Sequence, residues 1–270
     1  MSRVTSSGKI SCSSTLLAAA GAEGMVELID LAFRYGFDGL NLDCSRPDIF
    51  SLEGFSFRKG GEWVRHSVAK EVELHCISGY QMTGRWGEEA ERLRRLICVA
   101  HALACPLVTV ATPVYLSEAE WEPAYEAAIA SLREASECAR DLDICLAIEP
   151  REMTLARNMD DAVDLLDDVE RENIGLVYNP GYLAAHAGEG PEAAVEMAKD
   201  FMLLMELGGT RWDAVERGEF DEAVQRARAA GFGEYVSLSV GRGMAVVHDE
   251  GEQVRRDLAH LRALRCEGGR

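Results

Sequence analysis

A chain of 270 residues with 47% hydrophobic side chains can bury one large core, and it has the ordinary length of a single α/β barrel. Its 46 acidic side chains outnumber 28 basic ones, and the formal charge of −18 repels phosphate backbones, which argues against nucleic acid as a partner and for solubility. A charged fraction of 27%, with glycines spread along the whole length, excludes a disordered or fibrous chain.

Apolar strands and amphipathic helices alternate along the sequence. Lys9–Ser13 reads as the first strand. The helix predicted over Gly24–Tyr35 places Val26, Leu28, Ile29, Ala32 and Phe33 on one side and stops at Gly36. Gly39–Asp43 is the second strand, and a loop with Pro47, Gly54, Gly60 and Gly61 leads to a helix over Glu62–Lys70. Val72–Ile77 and Glu88–Leu103 follow as strand and helix, then Leu107–Ala111 as strand four. Ser117-x-x-Glu120 has capping-box spacing ahead of a helix over Pro123–Asp141. Ile144–Glu149 is strand five, and Asp160 and Asp161 open helix five, ending at Val169, where acids suit a helix N-terminus. Ile174–Asn179 is strand six, and Pro191 starts a helix to Lys199. Met202–Leu207, Asp221–Ala230, Tyr235–Val240 and Glu252–Leu264 complete the alternation.

Eight strand–helix units with continuously apolar strands imply a parallel sheet covered by helices, and the fold expected is a single (β/α)8 TIM barrel spanning residues 1–270. An open doubly wound sheet is the alternative. No G-x-G-x-x-G or P-loop follows any strand, so the usual nucleotide loops are missing. The eight cysteines form no C-x-x-C pair, which suits reduced thiols in a cytoplasmic protein. Leu96 to Val114 is apolar for nearly a membrane span, yet Pro106 splits it and His101 interrupts it, so it reads as a helix end, a turn and a buried strand. No membrane association is expected. Leu16–Ala20 is too short for a signal segment.

In such barrels the chemistry sits at the C-terminal strand ends. Ser13, Asp43, Ser78, Thr112, Glu149, Asn179, Glu206 and Ser239 close the strands. Polar residues there often only cap a strand. Glu149 and Glu206 stand out because each ends a run of apolar residues, where a carboxylate is costly unless a cation or donor meets it.

The stretch Leu31–Leu40 (LAFRYGFDGL), the run Leu146–Pro150 (LAIEP) and the run Ile174–Leu183 (IGLVYNPGYL) resemble, in order and spacing, motifs of the xylose isomerase-like TIM barrels. That superfamily includes sugar phosphate isomerases and epimerases, dehydratases and a repair endonuclease. The resemblance implies one divalent metal held by a Glu after strand five, an Asp after strand six, a His after strand seven and a Glu after strand eight. Here those places carry Glu149, Asn179, Glu206 and Ser239, and the family's further His falls on Tyr182. The family set carries about three negative charges and this one about two. Glu149, Asn179 and Glu206 remain hard oxygen donors suited to weak Mg²⁺ or Mn²⁺ binding. A metal-free site in which the acids act directly, or an inactive one, is the other reading.

Loss of the strand-eight Glu removes the two-base route that the resemblance implies, but one-base chemistry survives. Glu149 or Glu206 would remove a proton, and Tyr182 or a histidine, with His75 on strand three a candidate, would return it. Arg151 and Arg242 are placed to hold an anionic group. Trp86, Trp121 and Trp212 fall in expected strand-to-helix loops and suggest an aromatic lining. His186 and His248 lie in loops at the same end.

The function expected is that of an isomerase or epimerase working on a small polyhydroxylated or carbonyl substrate. A dehydratase or lyase is the alternative within enzymes, and a non-catalytic binding or partner subunit the alternative outside them. Oligomeric state is left open, a homo-oligomer included. Glu149→Gln is expected to abolish activity while the melting temperature holds or rises.

Overall fold

Residues 8–115, 117–208, 214–239 and 250–267 are described by the computed structural model. Eight parallel strands close in sequence order: β1 (Ile10–Ser13), β2 (Gly39–Asp43), β3 (Glu73–Gln81), β4 (Leu107–Ala111), β5 (Cys145–Ile148), β6 (Ile174–Tyr178), β7 (Met202–Leu207) and β8 (Val236–Leu238), with β8 paired to β1. The helices between them begin with α1 (Ser14–Ala19), α2 (Met25–Tyr35), α3 (Phe57–Ala69), α4 (Trp86–Ala102) and α5 (Glu118–Asp141). They continue with α6 (Met159–Val169), α7 (Pro180–Tyr182), α8 (Pro191–Ala198), α9 (Ala214–Ala229) and α10 (Glu250–Glu267). One π turn, Leu183–Ala187, follows α7. No described helix is long and apolar enough to cross a membrane.

Two separate apolar clusters follow from strand alternation. The large one packs Leu40, Val108, Val110, Leu146, Ile148 and Leu176 against helix residues such as Leu28, Ile29, Leu96 and Ile97. The small one joins Cys76, Leu107, Ala147, Val177, Leu204 and Tyr235, which alternate with the first set and therefore face the barrel axis. Glu149, Asn179 and Glu206 lie two residues beyond Ala147, Val177 and Leu204, so the same period of two aims them at the axis, at the C-terminal mouth.

Several boundaries depart from expectation for local reasons. Ser13 caps an additional helix, α1, its Oγ accepting from the Leu16 N–H at 3.2 Å. α3 starts five residues early and includes Gly60 and Gly61; the Phe55 ring packs so closely that a Cβ on Gly60 would lie 2.5 Å from it. β3 runs on to Gln81, with Tyr80 and Gln81 pairing Val110 and Ala111. α5 begins directly after Ser117, so Trp121 is inside the helix, stacked on Tyr125 at 4.6 Å, and not in a loop. Trp86 likewise opens α4. Trp212, Arg242 and His248 lie outside the described residues. Cys12, Cys44, Cys76, Cys98, Cys105, Cys138 and Cys145 are free thiols.

His75 is not at the mouth. It lies near the start of β3, buried, its ring stacked on Tyr235 at 4.0 Å and Nε2 2.7 Å from Ser11 Oγ. Tyr235 in turn donates to Glu73 at 2.6 Å, and Lys9 pairs with Glu73, closing the N-terminal floor of the barrel. Burial, with the charge of Lys9 second, holds the imidazole down at about 3. The folded chain therefore keeps His75 neutral while an unfolded one takes up a proton below about pH 6.5. The sign follows: stability falls as pH drops through the window from about 6.5 to about 3. His75→Phe keeps the stack and removes the titration. Urea unfolding from pH 6.5 to 4 should show the variant losing less stability per pH unit than wild type, by up to about 1.4 kcal/mol. Parallel pH profiles would contradict this.

Candidate active site

The strand ends enclose a cavity of about 470 Å³. Glu149, Asn179, Glu206 and Ser239 all line it, as do Arg151 and Tyr182. β1, β2 and β3 contribute Ser13, Asp43 and Ser78 from the opposite wall, and Thr15, Gly79, Glu152, His186 and Gly208 are also among the lining residues. Thr15 and the glycines carried no sequence signal: Thr15 sits in the unforeseen α1, and the glycines matter only for the room they leave. A Cβ on Gly79, whose φ is +80°, would lie 2.1 Å from the Asp43 carboxylate, and one on Gly208 would lie 2.0 Å from Ser239 Oγ. Thr112 does not line the cavity; its Oγ1 accepts from the Ala156 N–H at 3.2 Å and supports the loop beyond Arg151. Among the described residues the aromatic lining is Tyr182, stacked on His186 at 4.8 Å.

Glu149 and Arg151 form a bidentate ion pair: Nε reaches Oε1 at 3.0 Å and Nη2 reaches Oε2 at 2.7 Å. The two side chains are only 14% and 16% exposed, so the pair is held mostly out of water. Burial opposes the guanidinium charge, but the neighbouring Glu149, Glu206 and Asp43 carboxylates prevail and raise the Arg151 pKa. Nη1 is buried with no partner among the described residues.

Glu206 is the second acid, partly accessible from the cavity and otherwise enclosed by protein. Burial pushes it up to about 7, the charge of Glu149 adds to the rise, and a hydrogen bond from Ser239 with the charge of Arg151 works against it. Asn179 caps α7, its Oδ1 accepting from the Tyr182 N–H at 3.0 Å. The Tyr182 hydroxyl donates to the Arg157 carbonyl at 3.2 Å, and burial pushes its pKa up to about 12, so it is a neutral wall of the cavity with its proton already engaged. His186 is carried by the π turn, its Nδ1 3.4 Å from Glu152.

The family model for xylose isomerase-like TIM barrels matches residues 29–264. The chain belongs to that family. Among solved structures, an L-ribulose 3-epimerase superposes with a TM-score of 0.81 at 12% identity, covering 97% of this chain and 95% of its own. A D-allulose 3-epimerase from Methylomonas sp., in complex with D-allulose, gives 0.77 at 14% identity over 96% and 97%. The 3-keto-D-glucoside 4-epimerase of E. coli gives 0.71 at 15% identity over 95% and 99%. At these identities the likeness carries the fold. No curated protein sequence matches the chain.

The residues present do not fit the metal that the family resemblance implies. Both Glu149 oxygens are taken by Arg151, the Asn179 oxygen is committed to its helix cap, and Ser239 is bonded to Glu206. Among the described residues no three His, Cys, Asp or Glu side chains are grouped to hold an ion.

The pair also corrects the expected thermal behaviour of Glu149→Gln. Removing one partner leaves the other charge buried and unpaired, which typically costs about 3–5 kcal/mol. Glu149→Gln and Arg151→Met should each lower the melting temperature, while Glu149→Leu combined with Arg151→Met should recover most of the loss, as measured by thermal unfolding. Additive losses in the double variant would show that the two side chains are not energetically paired.

Proposed function

We propose that this chain is an isomerase or epimerase acting on a small polyhydroxylated carbonyl compound by proton transfer at the barrel mouth. One observation carries the reading: two carboxyl groups share a polar cavity in different environments, Glu149 ion-paired and Glu206 raised to about 7. Carboxyl groups whose environments push them apart are the usual mark of acid and base roles. A group titrating near neutrality both takes and returns a proton readily.

Glu206 removes the proton from the hydroxyl-bearing carbon beside the carbonyl and returns it to the carbonyl carbon, while the hydroxyl proton of the first carbon passes to the former carbonyl oxygen, so that the first carbon becomes the new carbonyl. One C–H bond breaks and one forms, with no net oxidation. Ser13, Asp43 and Ser78 offer hydrogen bonds to substrate hydroxyls from the opposite wall. His186, at the cavity edge, is the candidate to return the proton from another side, as an epimerisation requires. A dehydratase is the second reading, favoured by the protonated fraction of Glu206, which can pass its proton to a leaving hydroxyl.

The test is exchange in D₂O. Small ketoses and aldoses incubated with the protein should take up deuterium beside the carbonyl, read by NMR. Glu206→Gln should slow that uptake by about 10²–10⁴-fold. Ultraviolet absorption of an unsaturated ketone would indicate the dehydratase instead. Neither exchange nor loss of water across the panel would overturn the enzymatic reading in favour of a binding subunit.

A further inference from the structure

We propose that Arg151 is the resident cation of this site, standing where a divalent metal would otherwise neutralise Glu149 and polarise a substrate oxygen, so that the barrel works without a metal ion. The chemical consequence rests on the acid–base reading above; the placement of the cation does not.

Charge comes first. Asp43, Glu149 and Glu206 all act on Arg151 electrostatically and surround it with negative potential that calls for a cation. Arg151 supplies one covalently, from two residues along the chain, and spans both oxygens of Glu149. A divalent ion bound to the same carboxylate would lie within a few ångströms of the guanidinium in a mostly desolvated site, where like charges repel strongly. The ion and Arg151 are therefore alternatives.

The guanidinium is also anchored. The Arg151 N–H donates to the Ala156 carbonyl at 2.8 Å, and Thr154 Oγ1 donates back to the Arg151 carbonyl at 2.7 Å. Ala156 is tied to Thr112 on the β4 side at 3.2 Å, and Thr154 forms an antiparallel bridge with Val114. The loop that bears Arg151 is thus folded back on itself and fastened through Thr154 and Ala156 to the strand-four loop, so the side chain projects from a fixed base. Swinging it aside would leave Glu149 unpaired and a second buried charge uncompensated.

The remaining nitrogen points to a use. Nη1 is buried with no acceptor among the described residues, and a charged donor left in that condition is costly. Arg151 itself lines the cavity, so its guanidinium stands beside the space a substrate oxygen would occupy. The substrate class that fits is one carrying a carbonyl beside a hydroxylated carbon, whose oxygen gains negative charge when Glu206 takes the neighbouring proton. A fixed guanidinium then stabilises that oxygen as it becomes charged.

The test uses Mn²⁺ alone and needs no substrate, so failure here is separate from failure of the isomerase reading. Wild-type protein, prepared with chelator and then dialysed, is titrated with Mn²⁺ by electron paramagnetic resonance and calorimetry. The expected result is no binding up to about 1 mM, the weak end of carboxylate sites. Arg151→Gln, checked for folding by circular dichroism, should bind Mn²⁺ at least about tenfold more tightly than wild type. Asn179→Asp, which adds a carboxylate while keeping Arg151, should gain little alone and much more in combination with Arg151→Gln. Micromolar binding by wild type that disappears in Glu149→Gln would overturn the proposal. So would equal affinities of wild type and Arg151→Gln. If Arg151→Gln fails to fold, tight binding by Asn179→Asp with Arg151 intact overturns it, and continued weak binding supports it.

Discussion

Glu149 and Arg151 stand two residues apart and are joined by two charge-assisted hydrogen bonds at the mouth of the barrel. Their pairing sets the character of everything around them. It occupies both oxygens of the carboxylate that β5 delivers to the axis, and it fixes a positive charge in the middle of three acids. Glu206 is the acid whose proton is available near neutrality, because its burial, with the charge of Glu149 added, outweighs the opposing Ser239 hydrogen bond and Arg151 charge. A site built this way carries its own counter-charge and depends on the 151–156 loop to keep it in place.

The rest of the barrel serves that placement. Parallel strands with apolar residues on both faces let two cores form, one against the helices and one along the axis. The axial core ends where Glu149, Asn179, Glu206 and Ser239 begin. Each then acquires a neighbour suited to its chemistry: Arg151 for Glu149, the α7 backbone for Asn179, and each other for Ser239 and Glu206. Gly79 and Gly208 leave the room that Asp43 and Ser239 need. The fold by itself hosts many reactions, so the functional argument rests on this local arrangement.

The architecture and half of the site were legible in the residues. Apolar runs of strand length alternating with helical periodicity led to the closed barrel, and the equivalent strand-end positions of Glu149, Asn179, Glu206 and Ser239 led to one cavity. His75 was misplaced because the expected strand ended at Ile77, which set His75 two residues from the mouth, and the sequence left open whether it faced the barrel interior or the helices. β3 begins near Glu73 and extends to Gln81, with a register shift against β2 that makes Cys76, not His75, the partner of Asn41. Trp121 was expected in a loop because the helix start was set too late; it belongs to α5. The role of Arg151 was visible only as proximity in the chain. That it grips Glu149, and so reverses the expected stability of Glu149→Gln, depends on how the following loop folds back through Thr154 and Ala156.

The central claim is that one mouth carries two carboxyl groups of different character, Glu149 committed to Arg151 and Glu206 holding an exchangeable proton near neutrality. The most direct measurement is a pH titration of the glutamate side-chain carboxyl carbons by NMR, on protein labelled with ¹³C-glutamate and on Glu206→Gln to assign the resonance. The account predicts that the Glu206 carboxyl titrates at about pH 7. A Glu206 resonance that titrates near the ordinary value of about 4.3 would contradict it.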